Sequence, residues 1–361
     1  MKNKICYILP SKEIGGTEKM TVTLAKGIPK FGFEPLVLTM QQRGSFHKIL
    51  DMDGIKNYYL DIKRKPVQAV VRTLFILFKE KPCIMHSFLF AGNIFAKFLR
   101  IFYWVPVVCS QRSTDDWKKA IHWKIEKLTD FLCSVIISNS KAAKRVLIEK
   151  AGIKPGKIRI IPNGIDLLQI REKLKLAKPV IHKEIIIGSV GNLRKAKGYD
   201  VLIDAAKIIC KKRKDIKFEI LGKGPLENHI KQKVDNLKLG QFVKLCGFVE
   251  DVYNYIMNFD IVVIPSLWEG FPVVALEAMA CGKPIVATNA GDLPEIVEDG
   301  KTGIIVTVGD PEALAAAILM LISNPEIRKK MGNNALKRVE MFSYDSMVEW
   351  YCRIYNFLLL H

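Results

Sequence analysis

Short apolar runs recur along this chain. Between most of them lies a longer segment whose apolar positions return every three or four residues. The runs of the first half are KICYILP (4–10), EPLVLTM (34–40), IKNYYLD (55–61), PCIMHS (82–87), PVVCSQR (106–112), SVIISNS (134–140) and KIRIIPNG (157–164). A run that is apolar throughout, without polar alternation, reads as a strand buried on both faces. The intervening periodicity predicts helices at 17–29, 66–79, 91–103, 116–130 and 140–151, with a short one inside GSFHKILDMDG (44–54). Strands and helices in this alternation predict a parallel sheet covered on both sides.

The segment DLLQIREKLKLAKPVIHK (166–183) breaks the pattern and reads as a charged linker. Alternation then restarts with EIIIGSVG (184–191), IKFEILG (216–222), FVKLCG (242–247), DIVVIPS (260–266), PIVAT (284–288) and TGIIV (302–306). Helices are expected at 199–213, 225–237, 251–258, 272–281, 292–298 and 311–323, and an amphipathic helix at 345–360. The expected fold class is α/β, with two doubly wound Rossmann-like domains. The expected domains are 1–175 and 176–344, with the helix of 345–361 packing back on the first. Ligands of such sheets bind beyond the carboxyl ends of the strands, so two sheets imply a cleft between domains.

The length of 361 residues suits two cores better than one. Apolar content of 49% with 25% charged residues excludes disorder. The eight cysteines form no CxxC pair and read as reduced core residues, which favours a cytoplasmic protein. The apolar part of MKNKICYILP is too short for a signal-peptide core and reads as a first strand. No apolar stretch reaches the roughly 18 residues of a membrane span. VVRTLFILF and IFYWVPVVC come nearest and are interrupted by Arg72 and Pro106.

The net charge is +20, and it is unevenly placed. Residues 1–180 hold 33 Lys and Arg against 14 Asp and Glu, while residues 181–361 hold 23 against 22. A basic half beside a neutral half points to a polyanionic surface, membrane or nucleic acid, near the first domain.

The stretch PSLWEGFPVVALEAMACGKP (265–284) carries two glutamates in telling places. Glu269 sits in the turn after an apolar strand. Glu277 sits inside an otherwise apolar helix, where a carboxylate needs a partner. Pro272 suits the start of that helix and Gly282 its end. Free amides and a partial positive charge at the helix start suit phosphate. One ligand could lay phosphates over the amides and offer hydroxyls to both carboxylates. A nucleoside diphosphate sugar has that shape.

The spacing E-x7-E after Pro-Ser and before A-M-A-x-G-x-P resembles the signature of retaining GT-B glycosyltransferases of family 4. GGTE (15–18), PNGID (162–166), GNLRKAKGYDVLIDA (191–205), LGKGP (221–225), LCGFVEDV (245–252) and GDLPEIVEDGKTGIIV (291–306) follow in the family's order. The resemblance covers most of the chain, most strongly from 158 to 323. It implies that Glu269 meets the hydroxyls of the donor sugar and Glu277 those of the ribose. It implies that the backbone of Gly270, Phe271, Pro272 and Val273 meets the sugar and diphosphate, and that Lys197 neutralises the departing diphosphate. Asn192 and Gly222 join the donor-binding set. Where the family has V-G-R-L, this chain reads Val190-Gly191-Asn192-Leu193, with Arg194 next. Arg194 is therefore expected to stand in for the usual phosphate arginine. In the first half, Gly15 and Gly16 are expected against the phosphates, and His86 in H-S-x-L-F against the donor sugar. Phe88 and Ala91 stand where the family often has further histidines.

Asp51-Met52-Asp53 is formally a DxD motif, but it lies at a helix end without matching surroundings and reads as capping or solvated. No His, Cys or carboxylate set has metal-ligand spacing, so neither a metal nor another cofactor is expected. Residues 63–127 interleave bases with aromatics, in KRKPVQAVVRTLFILFKEK, AKFLRIFYWVP and DWKKAIHWKIEK. Helices of that kind can rest on anionic lipid, which suggests a peripheral site on the inner face of the cytoplasmic membrane. The expected reaction is retaining transfer of a hexose or N-acetylhexosamine, from UDP ahead of GDP, to a lipid-linked glycan acceptor. A nucleotide-sugar epimerase of the same architecture and a transferase with a soluble acceptor are the alternatives. A dinucleotide oxidoreductase lacks its GxGxxG here. Nucleic-acid binding would explain the charge but not the glutamates, so no nucleic-acid partner is expected.

Overall fold

A computed structural model describes residues 3–13, 15–112, 117–177, 180 and 183–360. The chain forms two compact units. One comprises Met1–Gly164 together with Tyr344–His361, and the other comprises Ile165–Ser343.

In the first unit, each apolar run yields one strand: β1 (Asn3–Leu9), β2 (Phe33–Thr39), β3 (Asn57–Tyr59), β4 (Ile84–Phe88), β5 (Val107–Gln111), β6 (Val135–Ser138) and β7 (Ile158–Ile160). All pair in parallel, in the order β3-β2-β1-β4-β5-β6-β7. Side chains of β1 divide between two cores as the strand period of two requires. Ile5, Tyr7 and Leu9 pack with Met20 and Leu24 of helix Gly16–Gly27. Cys6 and Ile8 pack with Leu77 of helix Pro66–Glu80 and Leu99 of helix Leu89–Arg100. The terminal helix Tyr344–Leu360 belongs to this unit and buries Met347, Val348, Tyr351 and Tyr355 in the first of these cores. Gly27 lets it approach, since a Cβ there would lie 2.6 Å from Val348.

The second unit contains β8 (Ile185–Val190), β9 (Ile216–Leu221), β10 (Val243–Gly247), β11 (Ile261–Ile264), β12 (Ile285–Thr288) and β13 (Gly303–Val306). They form a parallel sheet in the order β10-β9-β8-β11-β12-β13. The order reverses between β8 and β11, so the loops after these two strands diverge and leave a crevice beyond the sheet edge.

Two helices escaped the hydrophobic pattern. The segment expected as a linker holds helix Leu167–Leu176 in its described part, while residues 178, 179, 181 and 182 lie outside the described residues. It buries only Leu167 and Ile170, and its start is fixed by the Asp166 carboxylate accepting from the Gln169 amide at 2.9 Å. Helix Pro325–Arg338 is mostly polar and buries Met331, Gly332 and Ala335. Gly332 sits against backbone, since a Cβ there would lie 2.1 Å from the Gly282 carbonyl oxygen. In an exposed helix Gly→Ala gains up to about 1 kcal/mol. Here Gly332→Ala is expected to destabilise the second unit by roughly 1–3 kcal/mol through overpacking, seen as a lower Tm in thermal denaturation.

Candidate active site

The crevice at the β8–β11 reversal is built by loops that touch backbone to backbone. After β8, Gly191 donates its amide to the Leu221 carbonyl at 2.9 Å. Its own carbonyl lies where a Cβ on Gly222 would come within 2.1 Å, and Gly222 has φ +135°. The chain then turns through Lys195–Lys197 to Gly198, whose φ is +65° and whose Cβ would fall 1.9 Å from the Pro265 carbonyl oxygen. The Leu267 amide donates to the Ala196 carbonyl at 2.8 Å, tying this turn to the one after β11. On the other side Gly291, φ +55°, would place a Cβ 2.2 Å from the Glu269 carbonyl oxygen.

These clamps bring the key side chains together. Glu269 Oε1 accepts from the Lys197 ammonium, forming an ion pair, and from the Ser266 hydroxyl at 2.7 Å. Helix Val273–Ala280 starts at once after Pro272, whose backbone is extended, and Gly282 beyond its end adopts φ +67°. Its first amides have no acceptor within the helix. Glu277 lies past the first turn, and the Tyr253 hydroxyl donates to its Oε1 at 3.4 Å. Burial pushes the Glu277 carboxyl above the usual range, against the opposing pull of Tyr253 and of Lys173. Lys173 Nζ stands 5.1 Å from the centre of the Tyr253 ring.

Asn192, Lys197, Gly222, Pro272, Val273 and Glu277 line one cavity of about 300 Å³. Phe248 and Val252 complete an apolar wall. Glu269 meets the cavity through its ion pair with Lys197. Gly270 accepts from the Asp292 amide at 3.2 Å, and a Cβ there would meet open space. Phe271 turns toward the core, its ring 6.2 Å from that of Phe342. Arg194 does not join the lining. Its side chain is exposed, and its backbone shapes the turn, donating to the Asn192 carbonyl at 2.8 Å and accepting from the Lys197 amide at 2.9 Å. Tyr253 and Ser266 are the partners that motif reading missed. Neither carries a pattern that distinguishes it from an ordinary helix or turn residue.

The candidates of the first unit are placed differently. Gly15 donates its amide to Glu18 Oε2 at 3.0 Å and precedes helix Gly16–Gly27, while a Cβ on Gly16 would meet nothing within 4 Å. His86, expected against the donor sugar, stands inside the first unit. It is fully buried among residues of its own unit, with Nδ1 2.6 Å from the Tyr355 hydroxyl and Nε2 2.8 Å from the Ser110 hydroxyl. Its ring centre is 4.3 Å from that of Phe88. Burial, with the Arg112 guanidinium, holds its pKa well below the usual imidazole value. Both ring nitrogens are thus engaged by hydroxyl groups in the core. The Asp51–Asp53 pair is likewise occupied: Asp51 pairs with Arg43 and accepts from Asn57 at 2.8 Å, and Asp53 pairs with Lys26 at 2.9 Å.

Two parallel-sheet Rossmann-like units, one with a carboxylate-and-lysine cavity at its topological reversal, define a GT-B protein. Comparison with known proteins agrees. A family model described as glycosyl transferases group 1 matches residues 171–338, and one described as glycosyltransferase family 4 matches residues 14–168. The chain belongs to this glycosyltransferase family. A capsular polysaccharide biosynthesis glycosyltransferase of Staphylococcus aureus, CapM, is 29% identical over 79% of this chain and 78% of its own. An N-acetylgalactosamine-N,N'-diacetylbacillosaminyl-diphospho-undecaprenol 4-alpha-N-acetylgalactosaminyltransferase of Campylobacter jejuni is 26% identical over 94% of this chain and 95% of its own. The crystal structure of Anabaena HepE in complex with UDP superposes with a TM-score of 0.82 at 22% identity, covering 98% of this chain and 99% of that one.

Glu277 has a consequence for stability that can be measured. Its raised pKa means that the folded state holds the proton more tightly than the unfolded state. Its contribution is therefore most favourable at low pH and is lost as pH rises through the folded pKa. The Glu277→Gln variant, neutral throughout, should have a higher Tm than the parent near pH 8, and the difference should shrink as pH falls toward the ordinary carboxylate range. A second expectation concerns His86. Tyr355→Phe strands Nδ1 in the core and should cost about 1–3 kcal/mol in denaturant unfolding of the first unit.

Proposed function

We propose that this chain transfers a hexose or N-acetylhexosamine, with retention, from a UDP-sugar to a lipid-linked glycan acceptor in cell-surface polysaccharide synthesis, without a metal. The observation that carries the reading is the pairing of two unlike carboxylates about one cavity. Glu269 is ionically bound to Lys197, and Glu277 is desolvated at the other end of a helix start.

Each group has work in such a reaction. The diphosphate lies over the first amides of helix Val273–Ala280. Lys197 turns from Glu269 to the diphosphate and stabilises it as it departs. Glu269, released, accepts hydrogen bonds from the sugar hydroxyls. Glu277, ionised, accepts from the ribose hydroxyls, while Tyr253 holds its carboxylate in place. No carboxylate beyond these is needed as a nucleophile. The acceptor attacks on the face from which the diphosphate leaves, and its proton passes to a departing phosphate oxygen, so the anomeric configuration is kept. The carboxylates of Asp51 and Asp53 are bound to neighbours, which supports a reaction without a divalent cation.

The donor nucleotide follows the HepE complex with UDP, and the acceptor follows the Campylobacter enzyme, named for a diphospho-undecaprenol substrate. The capsular relative supports a role in polysaccharide assembly. Among the described residues no helix is long and apolar enough to cross a membrane, so the proposed attachment to the inner face of the cytoplasmic membrane is peripheral. A soluble acceptor is the second reading. It is favoured by an N-acetyl-alpha-D-glucosaminyl L-malate synthase of Bacillus anthracis, 32% identical over 56% of this chain and 55% of its own.

A thermal-shift screen of nucleotide sugars tests the donor site. A donor at 100 times its dissociation constant adds about 2.7 kcal/mol to stability, a shift of several degrees. No shift with any nucleotide sugar would overturn the reading. Glu269→Ala and Lys197→Ala should each lower kcat by roughly 10²–10³-fold with donor still bound, and undiminished transfer would remove the assigned roles.

A further inference from the structure

Helix Leu167–Leu176, absent from the hydrophobic pattern, packs against helices Val252–Ile256 and Val273–Ala280, which both contribute to the cavity of the second unit. Its Ile170 shares a core with Ile256, Leu276 and Ala280, and Leu174 packs on the same cluster. Lys173 lies three residues after Ile170, so the packing that seats Ile170 also sets where the Lys173 ammonium falls. It falls 5.1 Å from the centre of the Tyr253 ring. Among the described residues Lys173 forms no ion pair, so its charge is spent on that ring and on the carboxylate behind it.

Tyr253 is fixed at both ends. Its backbone amide donates to the Asp251 carboxylate at 3.2 Å, which caps helix Val252–Ile256. Its hydroxyl donates to Glu277 Oε1 at 3.4 Å. The three groups form a row, ammonium on ring and phenol on carboxylate, that ends at the cavity. A cation over an aromatic face draws charge from the ring, which makes the hydroxyl a better donor. The Lys173 charge also pulls the Glu277 carboxyl down, against the burial that pushes it up. The Cys281 thiol, four residues on in the same helix and near Asp251, is pushed up to about 12 by burial and stays neutral. Neither Lys173 nor Tyr253 belongs to the lining of the cavity, so what they do for a ligand passes through Glu277.

We propose that Lys173 and Tyr253 are positioning residues for the nucleotide: the ammonium seats the Tyr253 ring, the phenol tethers Glu277 Oε1, and the carboxylate so held selects a ribose, with its adjacent hydroxyls, over a deoxyribose. With one oxygen tethered, the carboxylate keeps a fixed plane and leaves its second oxygen for the ligand. A sugar without those hydroxyls leaves a desolvated carboxylate short of donors, which is where the selectivity arises. The inference rests on the ribose role of Glu277 and names the residues that set its strength.

Binding of UDP and GDP to the full chain is measured by titration calorimetry beside their 2′,3′-dideoxy counterparts. The parent should hold the preferred ribonucleotide at least about tenfold more tightly than its dideoxy form. Tyr253→Phe keeps the ring and removes the donor, while Lys173→Met keeps the stem and removes the charge. Each should weaken ribonucleotide binding by about two- to tenfold and leave dideoxy binding within about twofold, so that the ratio shrinks. Lys173→Arg should restore the ratio. In a Glu277→Gln background, Lys173→Met should change the binding of neither form. If both variants keep the parental ratio while Glu277→Gln loses it, the ribose role of Glu277 stands and the proposal falls. An equal loss for both forms would make Lys173 and Tyr253 supports of the local fold only, and also overturns it. If the parent shows no preference, or Glu277→Gln keeps it, the ribose reading itself falls, and if neither nucleotide binds, the donor reading falls with it. Lys173 is only half-buried, so Lys173→Met decides the matter even where Tyr253→Phe fails to fold.

Discussion

Backbone carbonyls pressed against glycines organise the second unit. Gly222, Gly198 and Gly291 each adopt a positive φ, and each faces a carbonyl oxygen that a Cβ would overlap, on Gly191, Pro265 and Glu269 respectively. Gly224 meets the Leu193 carbonyl in the same way, without the unusual φ. A side chain at any of these positions would push a loop outward by more than a hydrogen-bond tolerance. The loops after β8, β9 and β11 therefore act as one piece. Lys197, Asn192 and Glu269 inherit their relative placement from it, and the first turn of helix Val273–Ala280 is aimed by the same turn that carries Glu269. The precision of the site comes from the main chain, and the charged side chains are its passengers.

The two carboxylates of this site hold charge in opposite ways. Glu269 keeps its ion partner and its hydroxyl donor, so its charge is compensated before any ligand arrives. Glu277 has one long hydrogen bond and is desolvated, so its charge is undercompensated. A ligand hydroxyl gains more at the second than at the first, since it relieves an existing desolvation cost.

The sheets were legible in the sequence because buried parallel strands are apolar on both faces, as IIIGSV and IVVI are. Glu277 stood out because a carboxylate inside VVALEAMA needs a partner. Helices Leu167–Leu176 and Pro325–Arg338 were not legible, since each buries only two or three residues and looks like linker on hydropathy. The partners of His86 were not legible, because the hydroxyl at its Nδ1 comes from Tyr355, distant in the chain and brought there only by the last helix. The exposure of Arg194 was not legible either, because it follows from the turn that its backbone makes with Asn192 and Lys197. Tyr253 went unnoticed because an aromatic in a short helix is usually core.

The terminal helix has a consequence for how the protein is made. The first unit is chemically unfinished until Tyr344–Leu360 arrives, because Tyr351 and Tyr355 fill its core beside β1 and β4. The whole of Ile165–Ser343 is synthesised in between. At roughly 5–20 residues per second a ribosome needs on the order of ten to forty seconds for that stretch. During that interval the N-terminal sheet waits with an open apolar groove, while the later unit has all of its own strands. The usual order of vectorial folding is inverted: the second unit can close first, and the first closes last, on a nascent chain already carrying a folded passenger.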